Sequence, residues 1–380
     1  MLDEELDLLI ALCDPGTDDA AARVSIMERM TAQQIDWNRL FILGLWHKVA
    51  FLALQRLMDL DLLDAALESC GLPLLLLNHW KQLHRVNLRR NELLQTELGR
   101  IVMAFQRRAV PYAVGKGGPL LIGPCYRPSE RKMYDLDFLA PRDAFEAATA
   151  AMAEGGYVMG RYGHSQSSIM DLREGELRKW LLISRGLPNF IRKIDDVALD
   201  ISIAQIQFRI GSTGQGGRSI PADPLIANAA ACDVGWSGTS DNVMVARPSM
   251  PDTFLQLALH IVRETTDAEH RDWGMSWNLI KLCDLDRFVR TLQVPTHEIT
   301  DRAIELGFAT HCRYALEATF AVFPGSAPVA TLLARFRDLL PAEDIPTPTI
   351  ATIGREMAAL AQVSKPADSS WTAWMGVKTT

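Results

Sequence analysis

The chain has 380 residues, of which 48% are hydrophobic and 22% are charged, and its formal net charge is −7. This composition is typical of a globular protein that is long enough for two or three structural units. A protein that grips a nucleic-acid backbone usually carries a basic field, so the acidic net charge disfavours nucleic acid as a partner.

Two further features indicate the compartment. The six cysteines are scattered without a C-x-x-C pair, which argues against a structural zinc site and is typical of unpaired thiols in a reducing environment. The acidic start MLDEELDLLIALCD differs from a signal peptide, and no uncharged apolar run is as long as a membrane span. We therefore expect a cytoplasmic protein with no membrane partner.

Three regions follow one another along the chain. Residues 1–104 carry apolar residues at helical spacing and predict an N-terminal helical region, with its last helix stopping before Pro111. Residues 105–225 alternate short β-like runs with helices and glycines, which predicts a core of the α/β or α+β class. Residues 226–380 predict a C-terminal helical region, most clearly from residue 250 onward.

The core contains two clearly alternating strands and two helices. YAVG is a short β-like run, and GGPLLIGPCY predicts a short helix after it. KMYDLDFLA alternates like a strand, and PRDAFEAATAAMAEGG predicts a helix that begins near Pro141 and ends at Gly155 and Gly156. VALDISIAQIQF is the second alternating strand.

Two aspartates lie one residue apart in the strand KMYDLDFLA. Alternation places Asp135 and Asp137 on one face, with Cα atoms roughly 6–7 Å apart, and Tyr134, Leu136 and Phe138 on the other. Two carboxylates on one face repel each other unless they are solvated, protonated or bridged by a cation. Mg²⁺ prefers one or two carboxylates, waters and substrate phosphates, so the pair indicates a metal site. A polar strand face exposed to solvent would account for the same two residues.

Two neighbouring features favour the metal site. In VALDISIAQ, the leucine and isoleucines would form an apolar face, and Asp200 would lie on the opposite, polar face as a third acid. Upstream, YAVGKGGPLL predicts a strand, a glycine turn and a helix. Gly117 and Gly118 would let a phosphate approach backbone N–H groups there, and Lys116 would add a positive charge.

The order of these features resembles the nucleotidyltransferase superfamily, and most closely its poorly characterised branch with KG-x-x-L, then Y, then R-x-x-x-D-x-D. The matching residues are Lys116, Gly117, Leu120, Tyr126, Arg131, Asp135 and Asp137. The resemblance extends over about residues 36–320 and includes helical segments on both sides of the core. It departs at Gly118, where the superfamily usually has a serine whose hydroxyl contacts the nucleotide phosphate.

The resemblance implies an α+β fold in which a mixed nucleotidyltransferase-type sheet is flanked by two helical regions. It further implies that Asp135, Asp137 and Asp200 are the catalytic acids and hold Mg²⁺ or Mn²⁺. Asp195 and Asp196 are the alternatives for the third acid.

Lys116, Gly117, Gly118 and Arg131 would then bind the NTP, with the two cations neutralising its triphosphate. The implied reaction moves a nucleoside monophosphate to a hydroxyl or amine of a small molecule, peptide or protein. Two other interpretations stay open. The chain could be a degenerate binding or regulatory protein, as in toxin–antitoxin pairs, or an enzyme that modifies RNA.

Four further residues have open roles. His164 could lie at the pocket edge as a base or acceptor contact, or simply in a loop. His260, within LALHIV, fits a buried core histidine better than a catalytic one. Asp284 and Lys281 belong either to helix packing or to the cleft that receives the acceptor.

Overall fold

The structure is a computed structural model of the chain. It describes residues 3–16, 18–32, 34–163, 168–172, 174–183, 186–211, 218–234, 243–266, 277–340 and 352–357.

The N-terminal region is helical, as the sequence predicts. Its helices are α1 (Glu4–Cys13), α2 (Asp19–Ala32), α3 (Trp37–Trp46), α4 (Ala50–Asp59), α5 (Leu63–Glu68) and α6 (Leu74–Arg107). Helix α6 spans 34 residues, and the chain leaves it through Ala109, which has a left-handed backbone with φ 50°. The prediction that this helix stops before Pro111 is therefore confirmed.

A mixed six-stranded sheet forms the core, and the predicted α+β class is confirmed. Its strands are β1 (Ala113–Val114), β2 (Leu136–Leu139), β3 (Val158–Gly163), β4 (Ser168–Asp171), β5 (Phe190–Asp196) and β6 (Leu199–Gln207), in the spatial order β1-β2-β6-β5-β3-β4. Strands β2 and β6 are parallel, and the other neighbours are antiparallel. The helices between the strands are α7 (Gly118–Ile122), α8 (Phe145–Glu154) and α9 (Glu174–Ile183).

One face of the sheet is buried against α6 and α8. Phe138 of β2 packs against Phe105 of α6 with ring centroids 5.3 Å apart, and both side chains are fully buried. Ser202 and Ala204 of β6 also point to this face and are fully buried. The predicted faces of β6 are therefore wrong, because its small residues face the helices and its isoleucines at 201 and 203 stay partly exposed.

The remaining elements follow the sheet. They are β7 (Arg209–Gly211), β8 (Ser219–Pro221), α10 (Asp223–Ala227), β9 (Ala230–Val234), β10 (Val243–Arg247), α11 (Met250–Thr266), α12 (Leu279–Arg290), α13 (Thr296–Glu305), α14 (Ala309–Val322) and α15 (Ala327–Leu339). The antiparallel pair β9–β10 lies inside the region 226–380, which the sequence predicts to be helical, so that prediction holds only from α11 onward. None of the helices in the described ranges combines the length and apolarity that crossing a bilayer requires.

The N- and C-terminal helices share one hydrophobic core instead of forming separate flanks. Buried side chains of α1, α3 and α4 cluster with those of α11, α12, α14 and α15. Backbone contacts join the two regions as well, since the Ile280 N–H donates to the carbonyl of His47 at 3.2 Å. This packing brings the link between α3 and α4 beside α11 and α12, where it reaches the open face of the sheet.

Candidate active site

A cleft of about 390 Å³ lies between the open face of the sheet and helices α11 and α12. Its charged lining consists of the cations Lys48, Lys116, Arg131, Lys132, Arg263 and Lys281 and the acids Asp135, Asp137, Glu264 and Asp284. Cations thus outnumber carboxylates in the cleft, although the chain as a whole is acidic. Such a local field favours an anionic ligand.

Lys116 lies at the turn between β1 and α7 and lines the cleft as predicted. Its backbone is left-handed, with φ 40°, and its N–H donates to Oε1 of Gln256 on α11 at 3.0 Å. Its Nζ lies 2.7 Å from Oδ1 of Asp137. A lysine in a conformation that favours glycine is strained, and such strain is concentrated at functional sites.

The two glycines after Lys116 lie in close contact with neighbouring side chains. A Cβ at Gly117 would lie 2.6 Å from Cε of Met133, and a Cβ at Gly118 would lie 2.0 Å from Cγ1 of Val114. A serine at position 118 therefore does not fit this turn. Gly117 lines the cleft directly, whereas Gly118 supports the turn from behind.

Asp137 lies on β2, with its side chain turned away from the helices α6 and α8. It is 6% exposed, and its carboxylate also accepts a hydrogen bond from Nε2 of Gln207 at 3.2 Å. Burial raises the pKa of Asp137, Lys116 opposes that rise and the nearby Asp135 adds to it. A buried carboxylate whose charge is incompletely compensated is suited to receiving a further cation.

Asp135 lines the same cleft, so the structure brings the two predicted acids together. It does not bring Asp200 to them. Asp137 pairs with Gln205 on β6, and Asp200 lies four residues before Ala204, the partner of Leu136. At about 3.3 Å per residue, the Cα of Asp200 lies about 13 Å along β6 from that of Ala204.

Asp200 also lies on the other face of the strand, since it shares the parity of the buried Ser202 and Ala204. Its exposed carboxylate accepts a hydrogen bond from the hydroxyl of Tyr162. The alternatives do not line the cleft either: Asp196 pairs with Arg89, and Asp195 pairs with Lys193. The amide of Gln205 occupies the position beside Asp137 where a third acid would complete the set.

Arg131 lines the cleft but is held by a buried partner. Its Nε and Nη2 donate to Oδ1 and Oδ2 of Asp284, both at 2.7 Å, and the hydroxyl of Tyr126 donates to the same carboxylate at 2.9 Å. Burial opposes the charge of Arg131, yet Asp284 raises its pKa above the usual value. These hydrogen bonds fix the position of the Arg131 side chain in the cleft lining.

A chain of three side chains forms the helical wall. Nε2 of His260 lies 2.8 Å from Oε1 of Glu264, and Nζ of Lys281 lies 3.3 Å from Nδ1 of His260. Burial and Lys281 lower the pKa of His260 well below its usual value, which keeps the imidazole neutral. Burial also lowers the pKa of Lys281, to about 8. His260 lines the cleft. The sequence instead favours a histidine buried in the core at this position.

The sequence pattern does not predict the cluster of cations around Tyr134. It predicts this residue on the core face with Leu136, but Tyr134 precedes β2 and lines the cleft. Nζ of Lys48 lies 4.9 Å from its ring centroid and Nζ of Lys132 lies 5.1 Å from it. A lysine inside the apolar run LWHKVAF was the available signal for Lys48. His164 lies outside the described residues.

The carboxylates Asp135 and Asp137 fit a nucleotide-bound Mg²⁺, which needs only one or two carboxylates beside waters and phosphates. Among the described residues, no cluster of three or more His, Cys, Asp or Glu side chains could hold a metal ion without such a ligand. The site is therefore suited to a metal that arrives with, and is shared by, a phosphate-bearing substrate.

The mixed sheet, the glycine turn and the paired aspartates define a nucleotidyltransferase-type protein. A family model described as "Uncharacterised nucleotidyltransferase" matches residues 33–324, and the chain belongs to this family. The match confirms the resemblance found in the sequence and indicates an enzyme that transfers nucleotidyl groups. Comparisons with curated proteins and with solved structures gave no match.

Proposed function

We propose that the protein transfers a nucleoside monophosphate from an NTP to a hydroxyl or amine of an acceptor in a Mg²⁺-dependent reaction. The acceptor oxygen or nitrogen forms a bond to the α-phosphorus, the bond to the leaving pyrophosphate breaks, and the acceptor proton is released. The observation that carries this proposal is the meeting of Asp135, Asp137 and the Lys116 turn in one cation-rich cleft.

Asp135 and Asp137 would hold the metal in this reaction, and Mn²⁺ could replace Mg²⁺. Bound there, the metal would polarise the α-phosphoryl group and stabilise the charge of the leaving pyrophosphate. Lys116 would move from Asp137 toward the phosphates once the metal neutralises that carboxylate. Arg263 is the second candidate for the triphosphate, because its Nε is buried without a hydrogen-bond partner.

The test is binding and turnover with each of the four NTPs. We expect one or more NTPs to bind only with Mg²⁺ or Mn²⁺ in calorimetry, and to release pyrophosphate when an acceptor extract is added. Asp135→Asn combined with Asp137→Asn removes the metal ligands and serves as the negative control. Failure of every NTP to bind the wild-type protein with either metal would refute the proposal.

The acceptor is proposed to be a small molecule, peptide or protein. The cleft mixes acids with bases, and the chain carries a net charge of −7. A polynucleotide acceptor would instead need a basic surface, and its binding would weaken steeply with salt. Labelled NTPs offered with total tRNA in one reaction and with a small-molecule and peptide extract in another distinguish these classes. Labelling of tRNA alone would show that the acceptor class is wrong.

A second candidate function is nucleotide binding without transfer. Two observations favour it: Gln205 stands where a third acid would complete the set, and Lys116 is already paired with Asp137. The two functions differ in one measurement. A binding protein would bind Mg-NTP and release no pyrophosphate with any acceptor extract, whereas the proposed enzyme releases pyrophosphate in step with labelling of the acceptor.

A further inference from the structure

Three cations from separate parts of the chain surround the ring of Tyr134. Lys48 comes from the link between α3 and α4, Lys132 precedes β2, and Arg90 comes from α6. Their charged groups lie 4.9, 5.1 and 5.7 Å from the ring centroid. Cations within about 6 Å of an aromatic ring are attracted to it, so Tyr134 holds them close together despite their mutual repulsion.

Lys48 and Lys132 differ from the other cleft lysines because no carboxylate of the described residues lies within ion-pair distance of them. Lys116 pairs with Asp137 at 2.7 Å, and Lys281 lies 3.8 Å from Glu264. Within the described part of the chain, neither Lys48 nor Lys132 has a carboxylate oxygen within ion-pair distance. Glu264, Asp135 and Asp284 favour the charge of Lys48 only from beyond that distance, so neither lysine is neutralised by a contacting carboxylate.

Burial and neighbouring cations disfavour the charged forms of the two lysines when no anion is bound. Burial lowers the pKa of Lys132 to about 8, and Arg90 and Lys48 add to this shift. Burial also lowers the pKa of Lys48. In addition, Lys48 has a left-handed backbone with φ 60° just after the end of α3, where glycine is the usual residue. A bound anion would offset the repulsion that these lysines experience.

The two lysines and the cations proposed for the triphosphate do not line the same set of cavities. Lys116 and Arg263 also line a second, smaller cavity of about 30 Å³ together with Gln256. Lys48, Lys132 and Tyr134 line the large cavity but not this smaller one. Lys116 and Arg263 thus differ from Lys48 and Lys132 in lining both cavities.

We infer that Lys48 and Lys132, held by Tyr134, form a subsite for an oxyanion of the acceptor, such as a phosphate or carboxylate, apart from the NTP triphosphate. The assignment of this anion to the acceptor rests on the proposed function. An acceptor anchored in this way would carry its negative group at one end and its hydroxyl or amine toward Asp135. Neutral acceptors of the same size would bind much more weakly.

Inorganic phosphate is the probe for this subsite. The protein is first saturated with Mg²⁺ and a non-hydrolysable NTP analogue, and phosphate is then titrated by calorimetry. Lys132→Gln removes one charge, and Lys48→Asn removes the other with a residue that tolerates a left-handed backbone. Lys193→Gln is the matched control, since Lys193 is an exposed lysine on β5, outside the cleft.

We expect phosphate to bind the nucleotide-loaded wild type. Lys132→Gln and Lys48→Asn should each raise the Kd of phosphate at least tenfold. The Kd of the NTP analogue should change less than twofold in both, the control should match the wild type, and Lys132→Arg should restore phosphate binding. Phosphate that binds only without nucleotide would assign the lysines to the triphosphate and overturn the inference. Unchanged phosphate binding in both variants would overturn it as well.

The same titration separates this inference from the proposed function. If no NTP binds the wild type, the proposed function fails, and phosphate titrated without nucleotide still tests the subsite. Loss of phosphate binding in Lys132→Gln would then support an oxyanion subsite, and unchanged binding would refute it. Circular dichroism of each variant checks the fold, and Lys132→Gln decides the outcome if Lys48→Asn does not fold.

Discussion

The two walls of the cleft, the sheet on one side and helices α11 and α12 on the other, favour ligands of opposite charge. On the sheet wall, burial raises the pKa of Asp137, which leaves this wall suited to a cation. On the helical wall, burial lowers the pKa of Lys281 to about 8, and burial likewise lowers that of Lys48 on the adjoining link. This wall is suited to an anion. A metal–nucleotide complex, together with the acceptor oxyanion inferred for Lys48, would supply both the cation and the anions.

The walls also differ in how the chain builds them. The charged groups of the sheet wall come from one continuous stretch between Lys116 and Asp137, where a turn and a strand place them. The helical wall joins Lys48 with His260, Glu264 and Lys281 from three distant segments. The following substitutions test this difference between the two walls.

The largest effect is expected at the sheet wall. Asp135→Asn and Asp137→Asn should each lower kcat/KM more than about a hundredfold, because even groups that only orient metal ligands are typically worth 10–100-fold. Pyrophosphate release at saturating Mg²⁺ measures the loss, and circular dichroism confirms the fold. Activity within tenfold of wild type in either variant would exclude that carboxylate as a metal ligand.

The next effect concerns the ion pair that joins the two walls, between Arg131 and Asp284. Asp284→Asn leaves Arg131 buried without its carboxylate, which should lower the free energy of unfolding by about 3–5 kcal/mol. Asp59→Asn is the matched control, because Asp59 pairs with the largely exposed Arg127. Exposed pairs are worth about 0–1 kcal/mol. Urea unfolding of both variants measures the difference, and equal losses would contradict a structural role for Asp284.

A smaller effect is expected at the glycine turn. Lys116→Gly removes the charge while suiting the left-handed backbone, whose φ is 40°. Losing a charge-assisted phosphate contact should cost roughly 1.5–3 kcal/mol, or about 10–150-fold in the Kd of Mg-NTP. Calorimetry with the best-binding NTP checks this. An unchanged Kd would mean that Lys116 only neutralises Asp137.

The pH dependence of stability tests the charge of Lys132. Its pKa is about 8 in the folded protein against 10.5 for the free side chain. Because the unfolded chain binds the proton more tightly, folding becomes more favourable as pH rises through this window. Wild type should therefore gain stability relative to Lys132→Gln between about pH 8 and pH 10.5. A constant difference across this range would show that Lys132 is not desolvated.

The smallest effect is expected for Asp200→Asn. The resemblance assigns this residue to the metal site, whereas the structure places it on the opposite strand face, beside Tyr162. Substitutions of exposed residues away from such sites usually change stability by less than about 0.5 kcal/mol. We expect turnover within about twofold of wild type by the pyrophosphate assay. A large loss of turnover would instead return Asp200 to the catalytic set.

The sequence by itself determined the parts of the site that are local. KG-x-x-L after a short strand and D-x-D in an alternating strand specify a turn and a shared face, since both depend on neighbouring residues only. The α+β class, the long helix α6 and the helix α8 followed from hydrophobic period and glycine ends in the same way.

Only the tertiary structure decided which face of β6 meets which layer, and which distant charges meet in the cleft. Both faces of that strand are at least partly covered, so the isoleucines at 201 and 203 could not be told from the small residues Ser202 and Ala204 by polarity alone. Lys48, Glu264 and Lys281 meet because the N- and C-terminal helices share one core, and that contact joins segments far apart in the chain.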